Sequence, residues 1–312
     1  IEDVEAQMWA LRGLSWLLYL AGVAAALGFA RCLFEDESLA LSAAALFAFL
    51  PMSARQAAVV NNDVLAKFLV AVVLLVAARW LTGKARRWEP ALALVLCLLG
   101  LMSKPTAASA AIALLAVPFL RSRRLADRGR RLVFVIGLLL VAAVAGYFWL
   151  NQHNAALPRS LVGLRTRLQV GFSAETYVTI GRTLVGSFGW ESRFLPDGFV
   201  LGVLAVGALG LVLAVRALLS RSTPASRPLL LLCLLVVGVQ IAMVVLRGAA
   251  RGRYLVPALP AASALIVTGL LASWPADTRR RAIQLFALAL VALEAVFLWG
   301  GLLFQEHLRW SL

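Results

Sequence analysis

Long apolar stretches separated by short polar or basic segments recur along the whole chain. They fall at about 9–31, 39–51, 64–82, 90–103, 105–120, 132–150, 198–216, 228–246, 254–273 and 282–304. Most approach the roughly 20 apolar residues that an α-helix needs to cross a bilayer. The apolar positions are continuous and rich in Leu and Ala, which predicts helices and excludes the alternating segments of a membrane β-barrel. The pattern therefore predicts an all-α polytopic transmembrane bundle of about ten spans, forming a single transmembrane domain over residues 1–312.

Two of these runs are short. The 90–103 and 105–120 runs meet at Ser103-Lys104-Pro105-Thr106, where Pro105 interrupts the helix and drives its predecessor out of the helical region. Basic loops flank the pair on both sides, so it either crosses and returns or forms a re-entrant hairpin. Both arrangements put Lys104 on the far side from those loops. The longest stretch without a span, 151–197, is too short and mixed for an independent domain and reads as an extracytoplasmic interfacial segment. In it Leu161, Leu164, Leu168 and Val170 alternate with Arg165, Arg167 and Gln169. Over 176–188, Tyr177, Ile180, Leu184, Val185 and Phe188 recur at roughly helical spacing, with Trp190 as a headgroup anchor.

Composition confirms the class. The chain is 62% hydrophobic and 14% charged over 312 residues, with a mean hydropathy of +0.90, whereas soluble domains carry about 25% charged residues. A net charge of +15 and a pI near 11.3 would suit a nucleic-acid partner, but the basic residues cluster in the short loops between apolar runs. Lys84-Arg86-Arg87, Arg121 through Arg131, Arg216-Arg221-Arg227 and Arg279-Arg280-Arg281 follow the positive-inside pattern and are expected on the cytoplasmic side. No nucleic acid is expected. Counting spans outward puts 1–7, 52–63, 103–106, 151–197, 247–253 and 305–312 on the extracytoplasmic side.

Cys32, Cys97, Cys233, His153 and His307 show no metal-ligand or disulfide spacing, so neither a metal site nor a cofactor is expected, and divalent-metal dependence is left open. The chain has no Asn-X-Ser/Thr acceptor, consistent with a bacterial cytoplasmic (inner) membrane protein. It opens at Ile1 on an acidic stretch unlike a signal peptide, and further residues are expected upstream.

Three groups on the outer face carry candidate chemistry. Asn61-Asn62-Asp63 stands at the mouth of the 64–82 run. Such residues either cap the helix or, because a carboxylate beside hydrocarbon costs several kcal/mol, mark a site. Lys104, at the hairpin tip, is one of three lysines, with Lys67 and Lys84. The third group, Arg247, Arg251, Arg253 and Tyr254, precedes Pro257 and Pro260. Outer-face arginines either snorkel to headgroups or hold a bound anion such as a phosphate. Gln240 and Glu294, alone in their runs, are expected to face the bundle interior as packing contacts rather than site residues.

In order along the chain, Pro51…Asn61-Asn62-Asp63-Val-Leu, Leu101-Met-Ser-Lys104-Pro105 and Arg251-Gly-Arg253-Tyr254-Leu-Val-Pro257-Ala-Leu-Pro260 resemble the GT-C glycosyltransferases, relatives of protein mannosyltransferases and lipid A aminoarabinose transferases. The stretch from Ser187-Phe188-Gly189-Trp190 to Leu195-Pro196 is similar to a related uncharacterised bacterial membrane family. The resemblance implies a GT-C-like bundle that transfers a sugar, with inversion, from a polyprenyl-phosphate donor to an extracytoplasmic glycan, lipid or protein acceptor. It also implies roles. Asp63 matches the second acidic position of the catalytic site, Lys104 a lysine that contacts the donor phosphate, and Arg253 with Tyr254 an Arg-Tyr pair near that phosphate. Asn61, Asn62 and Arg251 join them as substrate-binding candidates. The family's principal acidic pair would lie before Ile1, so the catalytic base is left unassigned. Two rival readings are a transporter or flippase for an anionic or lipid-phosphate substrate, and a non-catalytic remnant that binds lipid-linked sugar.

Overall fold

The computed structural model describes residues 2–57, 61–121, 174–185, 187–188, 193–194, 197–220, 225–247, 252–272 and 274–310. Helix α1, Glu2–Leu33, leads to α2, Glu37–Phe49, and α3, Pro51–Ala57. The α2–α3 break has a sequence cause. Leu50 precedes Pro51 and is forced into extended conformation (φ −70°, ψ 124°), and the two helices diverge by 62°.

Helix α4, Asn62–Leu81, is the centre of the bundle. It packs against α1, against α5 (Glu89–Ser103) and against α6 (Ala108–Arg121). Because neighbours surround it, α4 buries residues on all sides, from Val64 and Leu69 to Val73, Leu74 and Ala78. Gly83, with φ +75°, turns the chain after α4, a backbone conformation that favours glycine. Helix α5 then runs back along α4. It ends at Lys104, whose extended backbone (φ −157°, ψ 126°) is the expected effect of Pro105, and a short 3₁₀ turn, Pro105–Ala107, starts α6.

After the stretch outside the described residues come α7 (Ala174–Val185) and the antiparallel pair β1 (Ser187–Phe188) and β2 (Arg193–Phe194), with Ser187 opposite Phe194. Helix α7 overlaps the run 176–188 expected to be helical and amphipathic. The expected pattern at 161–170, Trp190 and the apolar run 132–150 lie outside the described residues.

Helices α8 (Asp197–Ser220) and α9 (Arg227–Arg247) are followed by the 3₁₀ turns Gly252–Tyr254 and Val256–Ala258. Next come α10 (Leu259–Val267), its π-helical continuation Thr268–Ala272, and α11 (Ala276–Trp310). Gly210 of α8 lies against the Ile266 backbone, where an added Cβ would sit 3.1 Å from Cα and 3.2 Å from the carbonyl oxygen. An added Cβ on Gly269 would collide with the Gly210 carbonyl. Backbones approach this closely only at small residues, a common way for membrane helices to pack.

Four described helical segments are long and apolar enough to cross a membrane: Val4–Leu33, Asn62–Leu81, Val200–Ser220 and Arg227–Val244. A fifth is added if Glu37–Phe49 and Pro51–Ala57 count as one bent span. The runs 90–103, 105–120 and 254–273 form shorter apolar helices, Glu89–Ser103, Ala108–Arg121 and Val256–Ala272. At 15 and 14 residues, α5 and α6 are each about 22 Å long, short of a hydrocarbon core of about 30 Å. Among the described residues four or five segments have full span length, and the expected run 132–150 lies outside them. Exposed Leu94, Leu98, Val212, Leu219, Leu285 and Leu288 form an outer apolar surface suited to lipid. The chain is a helical membrane protein.

Candidate active site at the Asn62 end of α4

Asn61 is the N-cap of α4. Its side-chain Oδ1 accepts hydrogen bonds from the backbone N–H groups of Asp63 (2.9 Å) and Val64 (3.3 Å), satisfying donors that the first helical turn leaves free. Asp63 is thereby released from capping with its side chain. Its carboxylate pairs with the Lys104 ammonium, and only 11% of the Asp63 side chain and 15% of the Lys104 side chain are exposed. The carboxylate also lies in the first turn, at the positive end of the helix. Asn62 donates through Nδ2 to the Ser103 carbonyl (3.1 Å), which fixes the hairpin tip to the start of α4.

Tyr254 closes the group from the other half of the chain. Its ring lies 5.5 Å from the Lys104 ammonium and 5.4 Å from the Arg253 guanidinium carbon, so two cations flank one aromatic face or edge. Its backbone is anchored by Gln240, fully buried in α9, whose Nε2 donates to the Tyr254 carbonyl at 2.5 Å. The following turn, Val256–Ala258, packs on α4. Buried polar atoms nearby in sequence, Ser103 Oγ, Thr106 Oγ1 and Arg253 Nε, meet no hydrogen-bond partner among the described residues. The arrangement gathers one carboxylate, two cations and a phenol ring at one end of the bundle.

Of the residues singled out from sequence, the structure joins Asn61, Asn62, Asp63, Lys104, Arg253 and Tyr254 through these contacts. Arg251 lies outside the described residues. Gln240 faces the bundle interior and makes a packing hydrogen bond, as expected, and its partner is the Tyr254 carbonyl; its isolation in an apolar run gives no clue to that partner. Glu294 has a buried Oε1 with no hydrogen-bond partner among the described residues.

A second polar layer lies one helical turn deeper. Lys67, four residues after Asp63 on α4, is fully buried. Its ammonium donates to both the backbone oxygen and the hydroxyl of Ser53 in α3 (3.0 Å each). It also sits 4.6 Å from the Tyr19 ring and 5.6 Å from the Phe47 ring. The Tyr19 hydroxyl donates to the Ala48 carbonyl at 2.5 Å. The sequence signal for this layer was a lysine inside an apolar run, in register with Asp63. Among the described residues, no group of three or more His, Cys, Asp or Glu side chains is arranged to hold a metal ion.

Residues 4–147 match the family model described as dolichyl-phosphate-mannose-protein mannosyltransferase. The matched stretch contains Asp63, Lys67 and Lys104 and ends before Arg253 and Tyr254. Its description is that of a glycosyltransferase, and it falls on a chain whose apolar helices belong in a membrane. No curated protein and no solved structure matches the chain.

Proposed function

We propose that the chain is the core of an integral membrane glycosyltransferase, moving a sugar from a polyprenyl-phosphate donor to a glycan, lipid or protein acceptor on the extracytoplasmic face of a bacterial inner membrane. The observation that carries this reading is the Asp63–Lys104 pair, flanked by Tyr254 and Arg253 at one end of the bundle and half contained in the mannosyltransferase match. In such a transfer a bond forms between an acceptor oxygen and the anomeric carbon while the bond from that carbon to a phosphate oxygen breaks. The electron pair leaves on the phosphate. Cations fixed in a half-dry site stabilise that developing charge more than water would.

Lys104 and Arg253 are the cations available for this. Arg253 has the geometry to engage phosphate oxygens through its fork, and Lys104 adds a compact charge. Asp63 orients Lys104 and stands where an acceptor hydroxyl could be received. The acceptor hydroxyl gives its proton to a general base. This face is supported by the opposite end of α4, where the loop carrying Lys84, Arg86 and Arg87 suits the cytoplasm, while the outer apolar surface offers lipid-facing space for an isoprenoid tail.

The deciding experiment uses membranes containing the protein, a radiolabelled polyprenyl-phosphate sugar and candidate acceptors. Label appearing in an acceptor, and lost on Arg253→Ala, supports the assignment. Movement of the intact donor across liposomes holding purified protein and no acceptor, with no transfer in membranes, would replace it with a lipid-phosphate transporter.

A further inference from the structure

Lys67 is the most unusual charge in the described bundle. It is fully buried, and among the described residues no carboxylate forms an ion pair with it. Removing an ammonium from water without an opposing charge costs several kcal/mol. Its compensation comes from the two Ser53 oxygens and from the rings of Tyr19 and Phe47. Gln56, one helical turn beyond Ser53 on α3, is 4% exposed, and its amide has no partner among the described residues. The inner face of α3 is thus polar, and Lys67 is the group that grips it.

The position of that grip matters more than its strength. Ser53 lies ten residues before Asp63 and Lys67 four residues after it, so the Lys67–Ser53 bonds close a 14-residue loop with Asp63 inside. Helix α3 also packs on α7, and α7 packs on the Gly252–Tyr254 turn. One buried ammonium therefore ties α4, which carries the Asp63 carboxylate, to α3, and α3 reaches the Gly252–Tyr254 turn through α7. We propose that Lys67 is a positioning residue for the transfer reaction, holding α3 against α4 so that Asp63 meets Lys104 and Tyr254 in register.

This rests on the glycosyltransferase reading of the site. It makes an expectation that a plain stability role does not share. Lys67→Met removes the cost of a buried ammonium but leaves both Ser53 oxygens without their donor, two opposing effects that should keep its melting temperature near that of wild type. Its kcat for sugar transfer should nevertheless fall about tenfold, because small misplacements of reacting groups are costly, while KM for the polyprenyl-phosphate donor stays within about twofold because Lys104 and Arg253 are intact. Lys67→Arg, which keeps donors for Ser53, should recover most of the lost kcat. Ser53→Ala, which removes the hydroxyl and keeps the carbonyl, should show a smaller fall in the same direction.

Wild-type kcat in folded Lys67→Met overturns the proposal. If Lys67→Met does not fold, Ser53→Ala decides: wild-type kcat there overturns the proposal, and a fall at unchanged KM supports it. Transfer lost only in proportion to folded protein would likewise overturn it, leaving Lys67 a stability residue. A wild-type protein that transfers no sugar overturns the reading of the site and this inference with it, a result distinct from wild-type transfer with an unaffected Lys67→Met.

Discussion

Charge is used differently at the two ends of α4. At the Asn62 end it is concentrated: Asp63 and Lys104 form a pair with little exposure, and both Lys104 and Arg253 approach the Tyr254 ring. At the Leu81 end it is spread into pairs that each tie one element to another. Arg79 holds Glu89 through two hydrogen bonds, Nε to Oε2 at 2.9 Å and Nη2 to Oε1 at 3.0 Å, joining α4 to α5. Arg31 pairs with Glu37 across the α1–α2 turn, with both side chains more than half exposed. Arg279 reaches Asp36, joining α11 to the start of α2. An open cleft of about 540 Å³, lined by Arg31, Glu35, Glu37, Thr82, Lys84 and Ser226, also lies at this end. It is bordered by charges that already have partners or face solvent. The first end assembles chemistry from distant parts of the chain, and the second fastens helix ends.

The largest expected effect breaks this contrast at its strongest point. Lys104→Ala removes the cation that pairs with Asp63 and faces Tyr254, and transfer should fall by about a hundredfold or more, the scale for losing one preorganised charge-stabilising group. Asp63→Asn keeps the shape and removes the carboxylate that holds Lys104, and a drop of about tenfold or more is expected from its misplacement. Both variants should remain folded and membrane-inserted, as judged by size-exclusion profile. Transfer at wild-type rates in either would show that the two ends do not differ in function.

The end with the candidate chemistry was the more legible in sequence. Asp63, Lys104 and Tyr254 stood out because each is polar or charged beside an apolar run or a proline, and those local signals have local causes. The fit of Pro105 to the extended backbone of Lys104 is one such case, and the cap formed by Asn61 is another. What could not be read was pairing across the fold. Nothing in the run 228–246 tells that Gln240 meets the Tyr254 carbonyl 14 residues later. Nothing local to α10 tells that Gly269 presses on Gly210, because helix packing is decided by a surface on another helix.

The fastening end should respond to packing and to charge on different scales. Gly269→Val forces a side chain into the Gly210 carbonyl of α8, and overpacking of this kind destabilises by about 1–3 kcal/mol. Thermal melting should shift down accordingly, while transfer per folded molecule stays near wild type. A melting temperature equal to wild type would mean that α8 and α10 do not approach as closely as described. Arg79→Ala deletes both bonds to Glu89 but leaves α4 and α5 packed through apolar contacts. Arg79 is 37% exposed but Glu89 only 10%, so the variant leaves a largely buried carboxylate without its partner and should lower the melting temperature more than loss of a surface pair would, with donor KM unchanged.

The smallest effect is a pH dependence at the α1–α2 turn. The Ser38 hydroxyl and N–H, with Arg279 behind them, hold the Asp36 carboxyl below the usual carboxylate range, outweighing its partial burial. A depressed folded-state pKa means that the folded chain binds the proton less readily than the unfolded one. Its contribution to stability is therefore complete above the unfolded value of about 3.9 and is lost as pH falls through the folded value. Asp36→Asn should lower the melting temperature slightly near neutral pH, and the gap from wild type should close in strong acid. The Asp36 side chain is 37% exposed, so solvent screens the effect and high salt should shrink it further. A gap that widened on acidification would reverse the sign and show that Asp36 is not held ionised by these partners. A gap insensitive to both pH and salt would make the N-cap bond to Ser38, which an asparagine side chain can replace, irrelevant and leave shape as the cause.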